Sequence, residues 1–341
     1  MRPWLALLAA LVLTACDSGA PRPALLDSRP PPGLGPRFLA PEGWAWGAIQ
    51  PPDGPELRYG VTAPAGAARR AQVLILPDSD EPAEVWFETA ADLTRAGYVV
   101  WTLEWAGFGG SGRLLPPYDM VHPGPPGTAP QALEALITQV IRPRADRPLI
   151  LLASGDAAAT ALATLARQTP TASVILSAPD LSNGAALRPW ESLAVRVGLG
   201  RLPNPGWRPW SRTGSEAAMA AGADPWRGRV AHSWRLANPD LRQSGNSLAW
   251  RGQQAQLAAD DLASLRTRPT LVLAGKEVGL ASAEACRETL GCQATIQPQL
   301  GSSPHLAPDL VRDAWLAEVT TFLDAQVPPA AQVAGEPGAI E

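Results

Sequence analysis

The side chains here with chemistry to offer are few: three cysteines, three histidines and two short polar runs. One run is Ser154-Gly155-Asp156, set among alanines where an apolar segment gives way to a helical pattern. Its hydroxyl and carboxylate could serve nucleophilic or acid–base chemistry, or simply cap a helix and complement its dipole. The other run, Asp78-Ser79-Asp80-Glu81, follows a second apolar segment. His122 lies in a Pro/Gly loop, His232 in a Trp-rich stretch, and His305 in a loop before the last helical pattern. Cys286 and Cys292 have five residues between them and no nearby histidine. That is a poor zinc pattern, so no metal is implied.

The elements that must position these groups are bounded by composition and by the chain's ends. With 341 residues, 46% of them hydrophobic, the chain can bury one large core or two small ones. Its net charge of −4, with acids and bases interspersed, argues against a nucleic-acid partner. Met1-Arg2 and the apolar run over residues 4–13 read as a signal peptide, since a span needs about twenty apolar residues. The run ends in Leu13-Thr14-Ala15-Cys16, which resembles the bacterial lipobox. The resemblance implies cleavage before Cys16, a diacylglyceryl thioether on its sulfur and an acylated amino terminus. Several acyl chains, at about 0.8 kcal/mol per buried CH₂, would tie the protein to a membrane of the bacterial cell envelope. With Cys16 lipidated, Cys286 and Cys292 remain to pair with each other in an oxidising compartment.

Residues 16–37 are Pro-rich and expected to form an extended tether, and residues 327–341 a disordered tail. Between them, residues 38–326 form the expected domain. Continuous apolar runs at 57–62, 73–76, 98–103, 149–153, 173–178 and 270–274 suit parallel strands buried on both faces. Helical patterns fall at 83–96, closed by Gly97, at 130–141 and at about 156–167. A last one places Val311, Trp315, Val319 and Phe322 on one face. The alternation predicts an α/β fold with a mostly parallel, doubly wound sheet. It lapses between about 180 and 268, where many of the thirteen Trp lie. This stretch reads as an insertion over the carboxyl ends of the strands, or as a helical subdomain with Trp as filler.

From about residue 59 to 322 the chain resembles the lysophospholipase and monoacylglycerol-lipase branch of the α/β hydrolases. Six stretches carry the likeness in order: Val73–Glu81, Tyr98–Arg113, Leu149–Ala158, Asn238–Arg242, Leu271–Glu277 and Gly301–His305. The resemblance implies an α/β-hydrolase fold with a helical cap, His305 as base, Glu277 as its acid and Asp78 in the oxyanion loop. Serine-hydrolase chemistry needs a Ser on a tight elbow, a His, a carboxylate and backbone donors. The motif G-x-S-x-G falls on Ala153-Ser154-Gly155-Asp156-Ala157, so Gly155 stands at the nucleophile's place. Ala153 and Ala157 are small, so a serine at 155 is expected to fit. Asp78 replaces the family's glycine and would repel a developing oxyanion.

The expectation is therefore a lipid-anchored, non-catalytic protein without cofactor that binds an acyl or other apolar ligand. The alternative is a working carboxylester or lysophospholipid hydrolase with a displaced nucleophile. Ser154 could serve if the elbow slipped, although Leu152 and Asp156 would then flank it. Asp156 keeps small neighbours and matches the nucleophile of the epoxide-hydrolase and dehalogenase branches.

Overall fold

The computed structural model describes residues 21–66, 70–179, 187–205, 207–213, 224–259, 265, 268–274, 293–296 and 305–327. Among them, eight strands build one sheet: β1 (Ala45–Ile49), β2 (Leu57–Thr62), β3 (Gln72–Leu76), β4 (Val99–Leu103), β6 (Leu149–Ser154), β7 (Ser173–Ser177), β9 (Thr270–Ala274) and β10 (Gln293–Ile296). A two-residue pair, β5 (Met120–Val121) and β8 (Gly245–Asn246), stands apart. The sheet order is β1-β2-β4-β3-β6-β7-β9-β10. β1 and β2 are antiparallel to their neighbours and the rest run parallel. Every residue of β3, β6, β7 and β9 is buried, as continuous apolar runs require. The fold is the expected α/β hydrolase.

The helices fall close to their sequence signals. α1 (Phe87–Arg95) follows a 3-10 turn at Ala83–Trp86, and Gly97, at φ 96°, closes it in the left-handed region. α2 (Thr128–Ala135) runs on into a π-helical turn, Leu136–Ile141. α3 (Ala157–Leu165) follows β6. In the insertion lie α4 (Pro189–Ala194), extended by a π turn at Val195–Leu199, then α5 (Val230–Ala237) and α6 (Leu248–Ala259). α7 (Arg312–Gln326) buries Trp315, Val319 and Phe322 against the sheet, the face its periodicity marked. No helix among the described residues is long and apolar enough to cross a membrane.

The run at 57–62, read as a parallel strand, is β2 and pairs antiparallel with both β1 and β4, and two further antiparallel features went unanticipated. β1 is an edge strand of small and aromatic residues, Ala45-Trp-Gly-Ala-Ile49, only partly buried and without the aliphatic run that marks the central strands. The Pro-rich segment is extended, as expected, but from residue 21 onward it is no free tether. Arg22 and Arg113 exchange backbone hydrogen bonds at 2.8 and 3.0 Å, and Leu25 N donates to Gly110 O. Arg29 N donates to Asn238 Oδ1, and Asn238 Nδ2 returns a bond to Arg29 O. Residues 21–39 thus form a strap that spans core and insertion. The insertion's tryptophans divide: Trp234 packs on Phe87 and Trp250 on Phe108 as filler, whereas Trp190 and Trp226 are exposed.

Candidate functional site

The site begins at the turn from β6 into α3. Gly155 sits there at φ 53°, its N–H bonded to Ser177 O at 3.0 Å. That is the sharp strand-to-helix turn on which a nucleophile elbow is built, and it favours glycine on conformational grounds. The small neighbours do not leave room for a side chain, contrary to expectation. A Cβ on Gly155 would meet the carboxyl of Asp78, 2.5 Å from its Cγ and closer still to Oδ2. Asp78 therefore fills the space that a side chain at 155 would use.

Ser154 is the last residue of β6 and buried. Asp156 stands at the N-cap of α3 but does not form the expected side-chain cap; its Oδ1 accepts the N–H of Ser79 at 3.1 Å. That N–H comes from the loop after β3, where an oxyanion hole takes one of its donors. Asp156 also hydrogen-bonds Asp78 through their carboxyls. Burial first, then the Asp78 charge, holds Asp156 well above the usual carboxylate range. Burial and Asp80 push Asp78 up to about 6, against the pull of His305. A carboxyl so raised is a poorer nucleophile and a better proton donor than a free one.

His305 lies just before α7, as expected, and finds its carboxylates in the loop after β3. Its Nε2 is 3.2 Å from Asp80 Oδ1, and its Nδ1 is 3.4 Å from Glu81 Oε1 and 3.9 Å from Asp78 Oδ2. Burial alone would lower its pKa, but Asp80, Glu81 and Asp78 together hold it well above the ordinary histidine value. The three carboxyls thus favour the protonated ring, whereas a general base must be free to take a proton. Burial pushes Glu81 up to about 7 in spite of His305, while its Oε2 accepts from Trp86 Nε1 at 3.1 Å. Glu277, the expected acid, and Cys16, Cys286 and Cys292 lie outside the described residues.

The partners Asp80 and Glu81 escaped sequence reasoning, although their run was visible. Asp78, Asp80 and His305 each offer one atom within 4.8 Å of the others, so they could also ligate a cation. The insertion closes over this loop: Arg235 donates to Asp80 O, and Gln243 Nε2 donates to Ser79 O at 3.1 Å. The other two histidines are elsewhere. His122 bonds Ser247, and burial and Arg201 lower its pKa; His232 stacks on Trp210.

Below the site, the glycine-rich stretch after β4 serves an ion network that the sequence did not disclose. Arg58, fully buried, donates to Glu104 from Nε at 2.5 Å and to Glu84 from Nη2 at 3.0 Å. Gly110 N and Ala83 N donate to the same Glu104 carboxylate. A Cβ on Gly110 would come 2.6 Å from Arg58 Nη1, so the glycines there admit the ion pair rather than a ligand.

Neither of two cavities near the insertion touches the acidic cluster. One, beside Trp105, Phe108 and Trp250, has a volume of ≈ 30 Å³, room for about one water. The other is an open groove of ≈ 680 Å³ between Leu114, Leu115 and His122 on one side and Leu187, Val195 and Arg196 on the other.

Comparison with known proteins agrees with this architecture. The model of the serine aminopeptidase family S33 matches residues 67–291. A soluble variant of monoglyceride lipase from Saccharomyces cerevisiae superposes with a TM-score of 0.60 at 15% identity, covering 88% of this chain and 99% of the lipase. A thermostable carboxyl esterase from Bacillus coagulans gives 0.60 at 11% identity, over 84% of this chain and 99% of the esterase. No curated protein matches the sequence significantly.

Proposed function

We propose that this chain, which belongs to the serine aminopeptidase S33 family of hydrolases, is a membrane-anchored member without serine-hydrolase chemistry, and that it binds an amphiphilic ligand. One observation carries the loss of chemistry. The place of a nucleophile's side chain on Gly155 is taken by the Asp78 carboxyl. Three further features support it. The loop donor Ser79 N–H is spent on Asp156, the carboxyls around His305 favour its protonated form, and Asp78 puts an acid in the loop that would face an oxyanion. The open groove, at ≈ 680 Å³, is of ligand size, with leucines along it and Arg196 and Arg201 at its edge. An acyl chain with an anionic head fits that combination.

The anchor is Cys16 in the lipobox, with Cys286 and Cys292 paired as a disulfide. Mass spectrometry of the mature amino terminus tests the first: an unmodified terminus beyond Cys16 would rule it out. Alkylation of the denatured, unreduced protein tests the second; two labelled thiols would rule it out. Fluorophosphonate labelling tests the chemistry. No adduct is expected, and an adduct on Ser154 would overturn the reading.

A second reading rests on the Asp78–Asp156 carboxyl pair, both raised above the usual carboxylate range, which could act by acid–base catalysis on a water. It predicts hydrolysis that Asp156→Asn abolishes and that fluorophosphonate leaves intact.

A further inference from the structure

The described surface carries one helix with its polarity inverted. On α4 and its π extension, Glu191 and Ala194 face inward, while Trp190, Leu193 and Val197, at helical spacing, face outward at 52%, 60% and 63% exposure. Leu199 and Leu202 extend the apolar patch. Glu191 spends its charge within the fold, on the N–H of Arg188 and on Arg251. It is the only acid between residues 187 and 213, a stretch that holds Arg188, Arg196, Arg201, Arg208 and Arg212. An exposed apolar ridge flanked by arginines has the make-up of a helix that lies in a lipid interface.

The described chain also begins on this side of the molecule. Arg22 is bonded to Arg113, and the next two residues, Leu114 and Leu115, line the groove opposite Val195 and Arg196. Six residue steps separate Cys16 from Arg22, a reach of at most about 20 Å. We infer that the ridge formed by Trp190, Leu193, Val197, Leu199 and Leu202 is a second membrane contact, docking on an anionic bilayer surface. The apolar side chains enter the headgroup boundary and the arginines meet lipid phosphates. The reach of the strap rests on acylation of Cys16; the composition of the ridge does not. The groove opens beside the ridge, so an amphiphile leaving the bilayer would meet it directly.

The test uses acyl-free chain beginning at Asp17, which keeps every described residue, so failure of lipidation cannot disturb it. Cosedimentation is measured with phosphatidylcholine vesicles and with vesicles containing one-third phosphatidylglycerol. Binding to the anionic vesicles is expected, reduced at least tenfold by Leu193→Asp with Val197→Asp. Arg196→Gln and Arg201→Gln should each weaken it by about fivefold. Thermal melts check that the exposed substitutions leave the fold intact. Bromolipids should quench the fluorescence of the wild-type chain and quench that of Trp190→Leu less, a readout that needs no acidic variant. Absence of binding, or binding that both sets of variants leave unchanged, would overturn the proposal. So would a concentration-dependent dimer that Leu193→Asp with Val197→Asp dissociates, since the ridge would then belong to a second copy.

Discussion

Placing a side chain on Gly155 is the sharpest probe of the elbow. In Gly155→Ser the new Cβ would lie 2.5 Å from Asp78 Cγ, where carbon contacts settle at about 3.5–4.0 Å. The carboxyl must retreat by about 1 Å or more, breaking its bond with Asp156, and overpacking of this kind costs about 1–3 kcal/mol. The turn at φ 53° adds about 1–2 kcal/mol for any L side chain. Gly155→Ser should therefore destabilise by roughly 2–5 kcal/mol in the native background. In an Asp78→Gly background only the backbone cost, about 1–2 kcal/mol, remains. Urea unfolding of the four proteins closes a double-mutant cycle with an expected coupling of about 1–3 kcal/mol. Additive effects would refute the claim that Asp78 occupies the serine's place. The same double variant is where ester hydrolysis should first emerge, and it should depend on His305.

Three other outcomes follow from the site and the network beneath it. Glu104→Gln strips one carboxylate from buried Arg58 and should cost about 3–5 kcal/mol, or on the order of 10 °C in melting temperature. Removing the exposed Arg22–Asp240 pair should cost less than about 1 kcal/mol; equal losses would contradict the ranking. Because His305 has its folded pKa raised above about 6.5, its stabilising effect is complete below that pH and fades as pH climbs through the folded value. The stability gap between wild type and His305→Gln, followed by urea titration, should thus narrow from pH 6 to pH 9, and a widening gap would contradict the assignment. Zinc added at pH 6 should leave the melting temperature unchanged, since the imidazolium must lose its proton to ligate; a rise abolished by Asp80→Asn would instead make Asp78, Asp80 and His305 a metal site.

Periodicity found the central strands because β3, β6, β7 and β9 are buried on both faces and leave unbroken apolar runs. It missed β1, Ala45-Trp-Gly-Ala-Ile49, whose small and aromatic residues lack the β-branched and leucine-rich signature of the central strands. Local pattern marked the element ends at which Gly155 and His305 sit, between β6 and α3 and before α7. It could not show that Asp80 and Glu81 face His305, because a contact across more than two hundred residues leaves no local trace. Arg58 hid for a related reason. A charge in a strand reads as solvent-facing until Glu84 and Glu104 are seen to enclose it. Proline content revealed the strap's extended backbone but not its docking, which depends on single partners such as Asn238.

The strap also sets an order of events. Arg29 and Asn238 lie 209 positions apart, so the segment that leaves the ribosome early has its partners made late. Contacts of such long separation form slowly, because the intervening chain must first be organised. Arg22 and Leu25 can find Arg113 and Gly110 on the core alone, but Arg29 finds Asn238 only once the insertion is in place. A chain captured by acylation at Cys16 would then complete its fold while already held at the bilayer, and closing the strap would be the step that draws the finished domain against it.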